Sequence, residues 1–327
     1  MNNYLITGAS GMIAGGFIQK IVSEHQYVGL ILLTRDKVHT AYRYQKLLEA
    51  SHTPIKIISD LSELTDNEAA SVTAVINLAG SPISTGLVNT AKFKDLYESR
   101  VTYTKNLVKK LKERNITPQV FISASSMAVY SETSAPFTET TAPESPKSKL
   151  AKLCNDWEKA ALNAHSELNS RVVIMRLGNV TDLSGGMLMR LLPVFQKGYI
   201  PLLGNGEQII PWITLFDTAR VISHLIRKNG IEGPVHVCTG ELIAQFELFK
   251  TLAAITGMKT AKTLRVPKFL VKAAQKDAAQ AVLNSIASVP EKLNGSGFTF
   301  RYRTAADYVR AVRETMEITA ELQNSRS

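Results

Sequence analysis

The run NYLITGASGMIAGGF, residues 3–17, sets Gly8, Gly11 and Ala14 at regular intervals between a strand-like segment and a helix-like one. Glycine at such a turn lets the backbone close tightly and leaves no side chain between it and a pyrophosphate. The helix that follows offers free N–H groups and a positive dipole end to the same anion. A glycine loop after a first strand, opening a strand–helix series, is the context of a dinucleotide site. Ala14 in the third position still permits close packing of helix on sheet. A second chemical position follows in LLTRDK, where Arg35 is the first charged residue after the second strand and Asp36 stands behind it. An acid there accepts from a ribose 2′-hydroxyl, whereas an arginine suits a 2′-phosphate. Arg35 predicts NADP(H); Asp36 would serve NAD(H) if the loop shifted by one residue.

These residues need a rigid frame. Short apolar runs at 4–7, 28–34, 55–59, 73–79, 119–125 and 171–177 alternate with helical patterns at 11–24, 41–51, 89–114 and 147–168. Continuous apolar strands separated by helices predict an α/β fold, a Rossmann-like doubly wound parallel sheet with ligands at the carboxyl ends of its strands. Beyond about residue 178 helical patterns dominate, at 186–197, 216–228, 244–257, 267–285 and 304–322. The division expected is a nucleotide-binding domain over 1–232, with cap insertions from about 178, and a smaller, mainly helical C-terminal substrate or cap domain over 233–327.

Composition narrows the function. Apolar residues make up 45% of the 327 and charged residues 20%, as in ordinary globular chains. No apolar run approaches the ~20 residues of a membrane span. The opening MNNYLITGAS enters a strand without a signal-peptide layout, and the two cysteines, Cys154 and Cys238, belong to no ligand cluster. A reduced, cytoplasmic setting without a metal is the expectation. The 38 Lys and Arg against 28 Asp and Glu favour anionic ligands. The basic segment 259–276 reads as a solvated helix face, and no nucleic-acid motif accompanies it. The six histidines lack metal-ligand spacing, and no serine sits in a GxSxG elbow.

The motifs in order resemble an extended short-chain dehydrogenase/reductase of the NAD(P)-dependent epimerase/dehydratase superfamily. TGASGMIA is similar to its TGxxGxxG, which implies cofactor contacts from Thr7, Gly8, Ser10, Gly11, Met12 and Ile13, with Thr34 and Arg35 after the second strand. SDL, 59–61, resembles the adenine-contacting acid after strand three and implies Asp60 and Leu61. NLAG, 77–80, resembles the strand-four loop and implies Leu78, Ala79 and Gly80. SASSMAVY, RLGNV and PWITLFDTARVI continue the match. NLAGSPI, ESRVTYT, CNDWEKAA, GGMLMRLLPVF, LGNGEQIIPWI and VPEKLNGSGFTFRY further resemble the subgroup of epimerase family proteins. That subgroup ends in a C-terminal domain of unknown function and is sometimes labelled as SulA-like cell-division inhibitors.

The resemblance also exposes a departure. In active members a Ser, a Tyr and a Lys act together: the Tyr moves a proton at the substrate oxygen, the Lys lowers its pKa, and the Ser holds the oxygen. Ser126 matches the Ser. The stretch SPKSKLAKLCNDWE, 145–158, contains no tyrosine. One register puts Ser148 and Lys152 at the Tyr and Lys positions; another puts Leu150 and Cys154 there. The candidates for the missing role are Tyr130, at the end of the SSxxVY strand, and Arg100, where the superfamily often has an Asn. Arg100 would polarise a substrate oxygen or bind an acid group, unless it simply pairs with Glu98 or another acid. Lys152 would act only if burial lowered its pKa. Trp157 reads as core and Glu158 as a helix-surface or interface residue. The substrate is expected between Ser126 and the glycine loops 183–187 and 202–208. The reading is an NADP(H)-dependent oxidoreductase or epimerase-like enzyme on an unidentified carbonyl-bearing small molecule. Its alternative is a cofactor-binding sensor or partner-binding module without turnover. Neither a nucleic acid nor a membrane is an expected partner, and the resemblance implies a homodimer through helices 89–114 and 147–168.

Overall fold

A computed structural model describes residues 1–24, 27–82, 90–133, 135–258, 261–275 and 283–324. His25, and Lys259 and Lys276 of the basic segment, lie outside the described residues, as do 276–282 of the helix expected over 267–285.

Seven strands form one parallel sheet: β1 (Asn2–Thr7), β2 (Val28–Leu33), β3 (Ile55–Ile58), β4 (Val72–Asn77), β5 (Val120–Ser126), β6 (Arg171–Leu177) and, later in the chain, Gly233–Val237. Their spatial order is β3-β2-β1-β4-β5-β6 and then 233–237. Side chains alternate across each strand, so the sheet feeds two apolar layers. Leu5, Ile31, Val75, Phe121 and Ile174 join one layer with Leu107, Leu111, Ala161 and Ala164. Those helix residues belong to α5 (Tyr103–Glu113) and α6 (Lys149–Leu168). Ile6, Leu30, Leu32, Ile76, Ile122 and Val173 join the other with Phe17, Ile18, Ile21, Ile222 and Leu225. These come from α1 (Met12–Ser23) and α8 (Leu215–Arg227).

The remaining helices of this half are α2 (Lys37–Ala50), α3 (Asp66–Ala70) and α4 (Thr90–Tyr97), the last joined to α5 by a π-helical turn, Glu98–Thr102. Helix α2 starts four residues before the periodicity suggests, because Asp36 caps it by accepting from the His39 amide at 2.9 Å.

The cap packs around Trp212, Leu188, Phe195, Leu248, Leu252 and Tyr308. It is built from β7 (Asn179–Asp182), α7 (Gly186–Gln196), β8 (Tyr199–Leu203), β9 (Trp212–Thr214), α9 (Gln245–Ala253), β11 (Lys262–Val266), α10 (Lys268–Gln275) and α12 (Ala305–Asn324). It is mainly helical, with two short parallel pairs, β7 with β9 and β8 with β11.

A boundary at 232 does not describe this chain. The strand at 233–237, β10, pairs with β6 as the last strand of the main sheet. Leu293, in the short helix α11 (Glu291–Gly295), and Phe298 pack into the nucleotide-domain core, whereas 186–203 belongs to the cap. The sequence around β10, IEGPVHVCTG, hides a strand because Pro234 and His236 interrupt its apolar run.

Asp217 holds this crossing. It is fully buried, pairs with Arg220 at 2.7 Å, and accepts from the Arg301 and Tyr302 amides at 2.9 Å each. Replacing it by Ala strands a cation and two amides, so Asp217→Ala lowers stability by roughly 3–5 kcal/mol in urea denaturation. An unchanged midpoint would show that solvent satisfies those groups.

Candidate functional site

The predicted cofactor residues lie at strand carboxyl ends or just beyond them: Thr7 closes β1 and Gly8–Ile13 follow it, Thr34 and Arg35 come after β2, Asp60 and Leu61 after β3, and Leu78–Gly80 after β4, with the catalytic candidate Ser126 at the end of β5. Their individual parts differ. Gly8 has φ +67, and a Cβ there would lie 2.6 Å from the Leu78 carbonyl oxygen. It is the close contact between two loops. Gly11 is exposed, and a Cβ on it would meet only the Gly8 oxygen, at 3.0 Å. Gly11 is therefore the position left bare toward a ligand at the head of α1, as a pyrophosphate requires. Met12 packs against the cap: a Cβ on Gly185 would fall 2.5 Å from its sulfur. The 183–187 loop thus borders the glycine loop. The glycines of 202–208 instead make turns, with Gly204 against Lys268 and Gly206 against Leu202 and Phe246.

Thr7 is fully buried, and its hydroxyl is consumed internally. It donates to Asn77 Oδ1 at 2.8 Å and accepts from the Leu78 and Ala79 amides at 3.1 Å. Its part is to position the strand-four loop, not to touch a ligand with its side chain. Leu61 is likewise core, leaving only backbone for an adenine. Asp60 pairs with Lys110 and accepts from the Ser62 amide, which together lower its carboxyl pKa to about 2.

Around β2 the charges separate by role. Asp36 is committed to its cap, while Arg35 is exposed at the strand end. Sequence reasoning missed Arg43. Its guanidinium reaches 3.3 Å from where a Cβ on Gly15 would stand and lies close to Tyr44, whose own hydroxyl donates to the Ala9 carbonyl. The signal was its place seven residues after the Asp36 cap, two turns along the same helix face.

The second half of the site departs from expectation at several residues. Tyr130 is buried, with its hydroxyl held by Arg176, by His236 Nε2 at 2.8 Å and by the Thr141 carbonyl at 3.3 Å. Burial pushes its pKa up to about 12, and it is a structural group rather than a free acid. Lys152 points outward, its side chain 67% exposed and 3.5 Å from Asp156, away from the face that carries Leu150 and Cys154. The inward register is Leu150 and Cys154, and burial raises the Cys154 thiol to about 12. Ser148 caps α6 by accepting from the Ala151 amide at 3.0 Å. Trp157 is core, as expected, and donates to Thr104 at 3.2 Å. Glu158 is not a surface residue: it accepts from Arg176 at 2.8 and 3.0 Å and from Ser125 at 2.6 Å.

Ser126 is partly exposed and accepts from the Ala128 amide at 3.2 Å. The ladder pairs Asn77 with Ser123, so Ser126 and Gly80 each lie three residues past one level on neighbouring strands. Against Gly80 lies Arg100, on the π turn. A Cβ on Gly80 would come within 3.1–3.4 Å of its guanidinium. The alternative, a pairing with Glu98, is not made; that acid faces Lys94 at 3.8 Å. Among the described residues no cluster of metal-ligating side chains is present, and no helix is long and apolar enough to cross a membrane.

Gly8→Ala clashes with backbone at a left-handed position and lowers the melting temperature, whereas Gly11→Val folds normally and loses dinucleotide affinity in calorimetric titration. His236, with Tyr130 on Nε2 and Ser288 on Nδ1, is held down to about 4 by burial and by the Arg176 charge. Unfolding frees it to its ordinary value near 6.5, so its stabilisation is complete above that pH and is lost as pH falls toward 4. His236→Gln should flatten the decline of urea midpoints between pH 6.5 and 4; equal slopes would refute this origin.

The profile of the NAD dependent epimerase/dehydratase family matches residues 4–238, and that of a domain of unknown function (DUF1731) matches residues 266–312. An Arabidopsis thaliana protein described as "Epimerase family protein SDR39U1 homolog, chloroplastic" is 27% identical over 311 residues, covering 94% of this chain and 86% of its own. A Mycobacterium tuberculosis epimerase family protein, MT2273, is 27% identical over 303 residues, covering 92% and 94%. The crystal structure of human epimerase family protein SDR39U1 with NADPH superposes with a TM-score of 0.78 at 21% identity, covering 95% of this chain and 99% of that one. UDP-glucuronic acid 4-epimerase from Bacillus cereus, with UDP-glucuronic acid and NAD, gives 0.74 at 17% identity, covering 97% and 99%. With its ordered strand-end loops, its bare Gly11 and a profile match across most of its length, the chain belongs to the NAD dependent epimerase/dehydratase family.

Proposed function

We propose that this chain binds NADP(H) and acts as an oxidoreductase or epimerase-like enzyme on a carbonyl-bearing small molecule. The observation that carries the cofactor choice is the division of labour at β2. Asp36 spends its carboxylate on the α2 cap, and Arg35 remains exposed beside it. A ribose 2′-hydroxyl then lacks its usual acceptor, while a 2′-phosphate gains a cation. Arg43 at the rim of α1 adds a second positive charge. The NADPH in the human neighbour's structure supports the same choice.

The groups present fit such a cofactor: Gly11 leaves room for the pyrophosphate, Arg35 takes the 2′-phosphate, and Leu78–Gly80 follow the neighbouring strand β4 against Gly8. A bound NADPH supplies a hydride to a carbonyl carbon. Ser126 keeps its hydroxyl proton for the substrate oxygen, since its one bond among the described residues is as an acceptor. Arg100 supplies positive charge beside Gly80, at the end of the neighbouring strand. No phenol stands at Leu150, so the proton for the product oxygen enters from solvent by way of Ser126.

The inward Leu150 and protonated Cys154 favour a second reading, an NADP(H)-binding module without turnover. Ser126→Ala separates the two. It abolishes turnover with NADPH affinity intact if the site is catalytic, and it changes nothing measurable in a sensor. For the cofactor itself, calorimetry should find NADPH bound more tightly than NADH. Arg35→Ala then weakens NADPH by about 10–100-fold, the worth of one charge-assisted contact, and leaves NADH unchanged. Failure of wild-type protein to bind either nucleotide would sink the whole reading.

A further inference from the structure

Two arginines are buried near the carboxyl ends of β4–β6, and they are treated differently. Arg176 is clasped by Glu158 through two bonds. Arg100 is 9% exposed, yet among the described residues it has no ion pair. It donates to the Ser81 carbonyl at 3.0 Å and, at 3.4 Å, to the Ser99 hydroxyl, and its guanidinium lies 5.3 Å from the Trp157 ring centre. Asp95 acts on it only through space and is itself engaged by Lys92 at 2.9 Å. The neighbouring sequence 83–89, ISTGLVN, contains no acid.

A guanidinium has five N–H groups in a planar fork. Two are used here, which leaves three for a ligand, including the one on Nε. That nitrogen has no acceptor among the described residues. Burying a cation without a counter-charge is costly, and burial already holds Arg100 below the ordinary guanidinium value. A neutral carbonyl oxygen returns little of that cost, whereas a carboxylate matches both the charge and the fork. The position is also fixed. The π-helical turn carries Arg100 inward, and Gly80 has no side chain to displace it.

We propose that Arg100 anchors a carboxylate on the substrate, so that the substrate class is carbonyl compounds bearing a carboxylic acid. The proposal rests on the oxidoreductase reading for the carbonyl and on Arg100 alone for the acid. The carboxylate settles on the free face of the guanidinium beside Gly80, and the carbonyl is thereby presented toward Ser126. Arg100 acts here by binding the substrate and takes no proton.

The test titrates pyruvate, phenylpyruvate and 2-oxoglutarate, each against its methyl ester, into the full-length protein with and without saturating NADPH. At least one acid should bind about tenfold more tightly than its ester, the worth of one charge-assisted anchor. Arg100→Met should erase that preference, and Arg100→Lys should restore part of it. NADPH affinity should stay within about twofold in both variants. Because Arg100→Met removes an uncompensated buried charge, its melting temperature should not fall, which separates lost binding from lost folding. No acid-over-ester preference with any probe would overturn the proposal, as would a preference that survives Arg100→Met. A collapse of NADPH affinity in Arg100→Met would also overturn it, by assigning the cation to the cofactor. An arginine-dependent acid preference in wild-type protein that binds no NADPH would instead keep the anion site and sink the oxidoreductase reading.

Discussion

Glu158 and Arg176 meet inside the protein, between α6 and β6, and their geometry decides what surrounds them. Two bonds join the pair, Ser125 supplies a third to Glu158, and the remaining arm of Arg176 takes the Tyr130 hydroxyl. Tyr130 passes the connection to His236 on β10, and His236 passes it to Ser288. A buried ion pair is weak evidence of net stability, but breaking one by removing a partner typically costs about 3–5 kcal/mol. Here the charges fix the rotation of α6 about its axis. Once Glu158 faces Arg176, Leu150 and Cys154 must face inward and Lys152 must face solvent. The absence of the usual Tyr–Lys pair is thus more than a loss of two side chains. The helix face that would present them is occupied by a different, internally satisfied set.

Much of the fold was legible because its signals are local. Apolar runs from Tyr4 to Leu177 mark six strands, and Gly8 and Gly11 mark the loop where close backbone approach matters. What stayed hidden depends on long-range pairing. The seventh strand carries Pro234 and His236 and is a strand only because β6 lies beside it. Glu158 looks like a surface helix residue until Arg176, 18 positions away, is brought against it. Tyr130 looks available until His236, more than 100 positions away, takes its hydroxyl. Arg43 required knowing that α2 begins at the Asp36 cap. The sequence names the donors and acceptors, and the fold decides which of them are already spent.

The same accounting distinguishes the site from its scaffold. Thr7, Leu61 and Tyr130 are chemically capable residues whose capacity is used within the protein. Gly11, Arg35, Ser126 and Arg100 retain unused capacity: bare backbone, an exposed cation, a free hydroxyl proton and unclaimed N–H groups. These follow or adjoin β1, β2, β5 and β4 in turn, so the unspent groups gather along one edge of the sheet. A parallel sheet produces this arrangement naturally, since every strand delivers its loop to the same side.

The interleaving of the two halves bears on how the gene could have been assembled and how it can be cut. Leu293 and Phe298 fill places in the nucleotide-domain core, yet they come after most of the cap in the chain. A fragment stopped at the end of β10 would carry every cofactor loop and still lack part of its own interior. The C-terminal segment is therefore a missing piece of the first domain as much as a module appended to it. Fusion partners and split-protein designs belong at exposed turns such as Gly257, where an added side chain meets nothing within 4 Å, and not at the apparent domain boundary near 232.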